Sequence, residues 1–157
     1  MIIDNYQNFL DQIFQQIKKN KIDVSALQLD HLGYQASSDK DYDRLKPEFL
    51  EFAKLKKESL VGERRVGIFE LNSSLFYQNY KICAIELIAP KKEQKCDSSF
   101  EHAEFVIKES FEDFIKKYPQ IDWNIEAMKR DIYAKVQLKL PNGLGVKFHR
   151  ASILQEI

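Results

Sequence analysis

Leu27-Gln28-Leu29-Asp30-His31-Leu32-Gly33-Tyr34 reads as a strand, and Phe100-Glu101-His102-Ala103-Glu104-Phe105-Val106 echoes it. Each stretch sets an acid directly before a histidine and flanks the pair with apolar residues. Aligning Asp30-His31 with Glu101-His102 brings Tyr34 to Phe105, Asp41 to Glu112, and Leu45-Lys46 to Lys116-Lys117. Each acid-His strand is followed by a helical pattern and then by further strands, so the chain reads as two related halves. Each half ends on an apolar strand with a potential ligand: Ile82-Cys83-Ala84-Ile85-Glu86 in the first, Gly145-Val146-Lys147-Phe148-His149 in the second. His31 to Glu86 is 55 residues (86 − 31) and His102 to His149 is 47 (149 − 102), comparable lengths for one strand-helix-strand-strand-strand unit. The expected fold is α+β. A single domain, 1–157, holds an N-terminal helix at about 4–20, one βαβββ module at about 27–90 and a second at about 99–150. Together the modules form a curved mixed sheet around a cleft.

Local signals fill in the elements. Tyr6, Phe9, Leu10, Ile13, Phe14 and Ile17 recur at helical spacing, Asp4 and Gln7 resemble a capping box, and the helix is expected on the outside of the core. Ser37-Ser38-Asp39 reads as a helix start, with a helical pattern from Asp41 to about Leu55 that contains Pro47 and so predicts a kink or a late start. Strands are expected near Lys57–Val61, Arg65–Leu71 and Lys81–Ile88, with a turn at Asn72-Ser73-Ser74. Ser110–Tyr118 reads as a helix ended by Pro119. Tyr133–Leu140 alternates at period two, Pro141-Asn142-Gly143 is a turn, and Ser152–Ile157 reads as a short closing helix.

Composition narrows the function. Lysine plus arginine equals aspartate plus glutamate, 24 each, which gives no footing for nucleic acid or an anionic membrane. The N-terminus lacks a basic start and an apolar run, and no apolar stretch approaches the roughly 20 residues of a membrane span. A cytoplasmic protein is expected. Cys83 and Cys96 are not spaced as CxxC and read as free thiols.

The three histidines are the only ones in the chain. Histidine is the commonest transition-metal ligand. Strand alternation puts Glu86 on a face with Ile82, Ala84 and Ile88, His102 with Phe100, Glu104 and Val106, and His149 with Gly145 and Lys147. If these faces line a curved sheet, His31, Glu86, His102 and His149 converge as metal ligands. A carboxylate between Ile85 and Leu87 needs a partner if it is buried. Mixed nitrogen and oxygen donors suit zinc, iron, manganese, nickel or cobalt rather than calcium or magnesium.

At these residues the chain resembles a known family. Asp30-His31-Leu32, Glu86-Leu87-Ile88-Ala89-Pro90, Phe100-Glu101-His102-Ala103-Glu104 and Val146-Lys147-Phe148-His149 are similar to the motif strands of YecM-like proteins. Val61–Leu71 is similar to that family's second-to-third strand region, and the likeness runs from about Leu27 to the C-terminus. The family belongs to the vicinal oxygen chelate superfamily, with glyoxalase I, extradiol dioxygenases and bleomycin-resistance proteins. The resemblance implies paired βαβββ modules around a cleft, with ligands at His31, Glu86, His102 and His149. One departure stands out: glyoxalase I has a glutamate on the final strand where this chain has His149, which argues against glyoxalase activity.

Two functions follow as expectations. One is a metal-dependent isomerase, lyase or oxidoreductase acting on a small oxygen-bearing substrate. There Glu104 is a candidate base or alternate ligand, Arg64 (or Arg65) would bind a substrate carboxylate, and Tyr34 and Tyr80 would donate hydrogen bonds. The other is a non-catalytic small-molecule or metal-binding protein. The expected partner is a small molecule, and the chain would be a monomer or homodimer.

Overall fold

The computed structural model describes residues 1–157. A short 3-10 turn at Ile2–Asn5 leads into α1 (Tyr6–Lys19), followed by β1 (Gln28–Gln35), α2 (Asp39–Leu50), β2 (Ala53–Val61), β3 (Arg64–Tyr77) and β4 (Tyr80–Ile88). Then come β5 (Ser99–Val106), α3 (Phe111–Lys116), β6 (Val136–Lys139) and β7 (Gly145–His149). All seven strands join one mixed sheet in the order β2-β3-β4-β1-β5-β7-β6. β1 and β5 are antiparallel neighbours at its centre, and each has a parallel partner on its outer side, β4 and β7 respectively. The expected pair of βαβββ modules is present, the second in reduced form: its strand before β6 is a single bridge between Asn124 and Gln137.

One face of the sheet carries the three helices. Phe9, Leu10 and Ile13 of α1, Tyr42, Leu45 and Phe49 of α2 and Phe114 of α3 bury against Leu32, Phe69, Ile85, Phe105 and Phe148 in one cluster. Each such fully buried side chain contributes about 1.5–3 kcal/mol. The N-terminal helix therefore belongs to the core rather than lying outside it, and no side chain caps it. Ser38 caps α2 by accepting from the Asp41 amide, as Ser37-Ser38-Asp39 predicted. Pro47 lies inside the last turns of α2, which stops at Leu50; Lys54–Lys57 join β2 instead of extending the helix. The turn expected at Asn72–Ser74 is an irregularity within β3, between Glu70 and Leu75.

The strand expected at Tyr133–Leu140 is shorter than its alternation suggested. Tyr133 has φ +56°, outside the extended region, and its amide donates to the Glu156 carboxylate, so pairing starts only at Val136. Ser152–Ile157 forms turns rather than a helix. Its Ile153 packs with Ile68, Ala84 and Tyr133 against the face opposite the helices.

Candidate metal centre

Two β-bulges build the site. Along the β1–β5 ladder Leu29 pairs with Phe105 and His31 with Glu104, leaving Asp30 unpaired; further on Gly33 pairs with His102 and Tyr34 with Phe100, leaving Glu101 unpaired. A bulge inserts one residue and re-aims its neighbours. Both bulged residues are the acids of the acid-His pairs, so each acid shares a face with the histidine beside it. Asp30 Oδ2 lies 2.8 Å from His31 Nδ1, and Glu101 Oε2 lies 2.9 Å from His102 Nδ1. The same bulge corrects the expectation that Phe100 shares a face with His102: Phe100 turns to the helices and stacks on Phe9.

The face opposite the helices forms a cleft of about 680 Å³. Of the nine buried polar or charged residues, eight belong to this face and its end: Asp30, His31, Glu86, His102, Glu104, Lys135, Lys147 and His149. Only Gln35 lies elsewhere, spanning the Ala36 and Ile88 carbonyls. Concentrating buried charge at one place costs stability and marks a functional site.

The expected ligands His31, Glu86, His102 and His149 all reach this face. His31 Nε2 is 3.7 Å from Glu86 Oε2 and 3.7 Å from Glu104 Oε1, and His102 Nε2 is 3.9 Å from that same Glu104 oxygen. Two atoms each about 2.1 Å from one ion lie at most about 4.2 Å apart. These separations fall within that span. His149 stands to the side, its ring 5.6 Å from that of His31, with Nδ1 2.8 Å from Glu104 Oε2 and Nε2 3.4 Å from Asp30 Oδ2.

The histidine nitrogens divide consistently. All three Nδ1 atoms are engaged by carboxylates, while Nε2 of His31, His102 and His149 is buried without a hydrogen-bond partner. A carboxylate on Nδ1 fixes the proton there and leaves the Nε2 lone pair free, which is how proteins prepare an imidazole to bind a metal. The residues therefore fit a transition metal.

Electrostatics separates His102 from His149, which as an imidazolium offers no free lone pair. Burial and the nearby Lys147 ammonium pull His102 below its ordinary pKa, so it is neutral at neutral pH. Burial alone would raise Glu104, but Lys135, His31 and His149 more than reverse it. Glu86 follows the same pattern, with Lys135 and His102 outweighing burial. Burial opposes the charge on His149, yet Glu104 and Asp30 push it up to about 9.

The substrate-side expectations divide. Arg64 lines the cleft from the start of β3. Arg65, its alternative, pairs with Asp43 at 2.7 Å and covers the Tyr42 ring. Tyr34 packs between Phe49 and Phe100 on the helix side, away from the cleft, because along β1 it alternates with His31 and Gly33, which face the site. Tyr80 donates to the Val24 carbonyl, and it too is remote from the cleft lining.

Sequence reasoning missed three residues. Lys135 and Lys147 are buried in the site. The signal for Lys147 was the one used for Glu86, a charge between two apolar strand residues. Gly33 was the third: a Cβ there would overlap the His102 ring, so only glycine leaves that ring its place. The register also revises the internal repeat. His31 pairs with Ala84 and Gly33 with Glu86, while His102 pairs with Gly145 and Glu104 with Lys147. The counterpart of Glu86 is therefore Lys147, and that of His149 is Ile88.

A family model described as YecM protein matches residues 1–157. The chain belongs to the YecM family. The match takes in the N-terminal helix as well as the region from Leu27 onward. An uncharacterized Haemophilus influenzae protein is 26% identical over 104 residues, 64% of this chain and 54% of that protein, so the match spans about half the relative's length. Among solved structures, a structural-genomics protein named EC4020 superposes with a TM-score of 0.77 at 17% identity, covering 98% of this chain and 88% of the other. A single-substitution variant of Streptomyces coelicolor methylmalonyl-CoA epimerase, in complex with 2-nitronate-propionyl-CoA, superposes with a TM-score of 0.56 at 12% identity, covering 80% and 96%. The YecM chain thus shares its fold, a glyoxalase-like α+β arrangement, with methylmalonyl-CoA epimerase. No helix is long and apolar enough to cross a membrane.

Proposed function

We propose that this chain binds a divalent transition metal at the base of its cleft and acts on a small oxygen-bearing molecule there. His31 and His102 would hold the metal through Nε2, with Glu104 and Glu86 as carboxylate donors. His149, expected as a fourth ligand, would instead orient Glu104 through its 2.8 Å contact and join the ligand set only by turning Nε2 from Asp30. The observation that carries this reading is the buried, unpartnered Nε2 of His31 and of His102, each behind a carboxylate-anchored Nδ1. When bound, such a metal supplies Lewis-acid polarisation of a substrate oxygen. Asp30 and Glu101 keep the imidazoles oriented, and Arg64 offers a guanidinium to a substrate carboxylate.

The reaction class follows the fold only by analogy: an isomerase, lyase or oxidoreductase. The epimerase bound to a CoA ester is the likeness that favours an isomerase. A second reading, a protein that binds its ligand without turning it over, has its own support. Glu86, Glu101 and Glu104 are all engaged by buried cations or histidines that hold them below their ordinary range, an arrangement that suits holding a ligand more than taking a proton from it.

The test is elemental analysis of protein purified without a histidine tag, before and after reconstitution with zinc, iron, manganese, nickel or cobalt. One bound metal per chain, lost in His102→Ala, is expected. No metal after reconstitution would overturn the reading. Metal-dependent turnover of 2-oxo acids or catechols would then separate an enzyme from a binder.

A further inference from the structure

Lys147 is a buried cation without a counter-ion. It is 7% exposed and lines the cleft, yet its ammonium makes no hydrogen bond and no ion pair. The three carboxylates whose charge it feels, Glu86, Glu101 and Glu104, lie beyond ion-pair distance and face other groups: Glu104 takes Lys135 and His149, Glu101 takes His102, and Glu86 faces His31. An unpaired charge in a buried position is costly, and folding alone gives no return for it.

The surrounding lining has the same sign. Arg64, Lys91, Arg130, Lys135, Lys139 and Lys147 line the cleft against three carboxylates, Glu86, Glu101 and Glu126. Of the six cations only Lys135 is ion-paired within the protein. The chain as a whole is neutral, so this excess is local. A concave surface with one sign of charge gathers ligands of the other. Neutral donors are present too: the Tyr133 hydroxyl lines the cleft, buried and without a partner.

Register shows that Lys147 lies beside the metal centre. Its Cα partners are Glu104 on β5 and Gln137 on β6, so its side chain emerges between the proposed ligands and the outer wall of the cleft. We propose that the cleft takes a small anionic ligand, with a carboxylate or phosphoryl group seated on the Lys147 ammonium and the rest of the molecule extending toward His31 and His102. This deepens the proposed function and borrows its placement of the metal, but the anion seat is built from Lys147 and stands without the metal. Arg64 at the rim gathers the anion and the buried Lys147 holds it.

Calorimetric titration of the full chain tests this, using malonate, inorganic phosphate and the neutral analogue malonamide, each against metal-free and metal-loaded protein. Binding of malonate or phosphate is expected, with malonamide at least tenfold weaker. Which anion binds tighter separates carboxylate from phosphoryl chemistry. Lys147→Met and Lys147→Gln are expected to weaken the anion at least tenfold while metal content stays at the wild-type level. Both variants are checked for folding by circular dichroism, and methionine should fit the buried position without loss of stability. Lys147-dependent binding to metal-free protein that never takes up metal would support the anion seat while the metal reading falls. Three results would overturn the proposal: no anion binding in either form, binding unchanged in both folded Lys147 variants, or binding lost only on replacing the rim residues Arg64 and Lys139.

Discussion

Replacing Gly33 with alanine should damage the proposed metal centre through one methyl group. The added carbon would sit 2.6 Å from His102 Nε2 and closer still to the ring carbon beside it. Ordinary contact is about 3.5 Å and that ring carbon is the nearest atom, so the ring must retreat by about 1.5 Å. It has little freedom to do so: it is fully buried, and its Nδ1 is tied to Glu101. Forcing a methyl into such a place costs about 1–3 kcal/mol of folding stability. A ring displaced by well over half a metal–nitrogen bond length no longer meets the other donors at one point. Metal affinity should therefore fall about tenfold or more, comparable with the loss of a supporting hydrogen bond. Urea unfolding in the presence of chelator measures the first effect, and a competitive metal titration the second. Gly145→Ala is the control on the same face, since its Cβ would meet the Leu138 carbonyl at 3.6 Å and His102 Cβ at 3.9 Å, both ordinary contacts. The reasoning fails if Gly33→Ala matches wild type in both assays, or if Gly145→Ala is equally harmful.

Three further outcomes are expected. In chelator-treated protein, His149 is held at about 9 against an ordinary 6.5; its contribution should be complete below about pH 6.5 and disappear as pH rises through about 9. Urea midpoints from pH 6 to 10 should show a loss of up to about 3 kcal/mol, and His149→Gln should flatten the profile. Burial opposes the charge on Glu101, but His102 overrides it and holds the carboxylate at about 2; that contribution is present above about pH 4.5 and lost as pH falls through about 2, so Glu101→Gln should blunt acid unfolding followed by circular dichroism. Glu104→Ala strands Lys135 and His149 as buried charges and should cost about 3–5 kcal/mol in urea unfolding, with part of the loss recovered by adding Lys135→Met.

The two-module plan, and most of the residues that carry charge to the cleft, were legible in the chain. Period-two stretches and the repeated acid-His pair are local properties, written in neighbouring residues. They were enough to place β1, β4, β5 and β7 and to gather His31, Glu86, His102 and His149 on one face. How those side chains divide the work came from the packed sheet. A bulge is a property of two strands in register, so nothing within Phe100–Val106 showed that Phe100 and His102 face opposite ways, or that Asp30 and Glu101 stand beside their own histidines. Cross-strand pairing likewise put Lys147, not His149, in the position matching Glu86. It also set Glu104 between His31, His102, His149 and Lys135, which no spacing along the chain could reveal. Alternation says which face a residue takes only where the strand runs without a bulge; the pairing of distant strands decides both where the bulges fall and what each side chain meets.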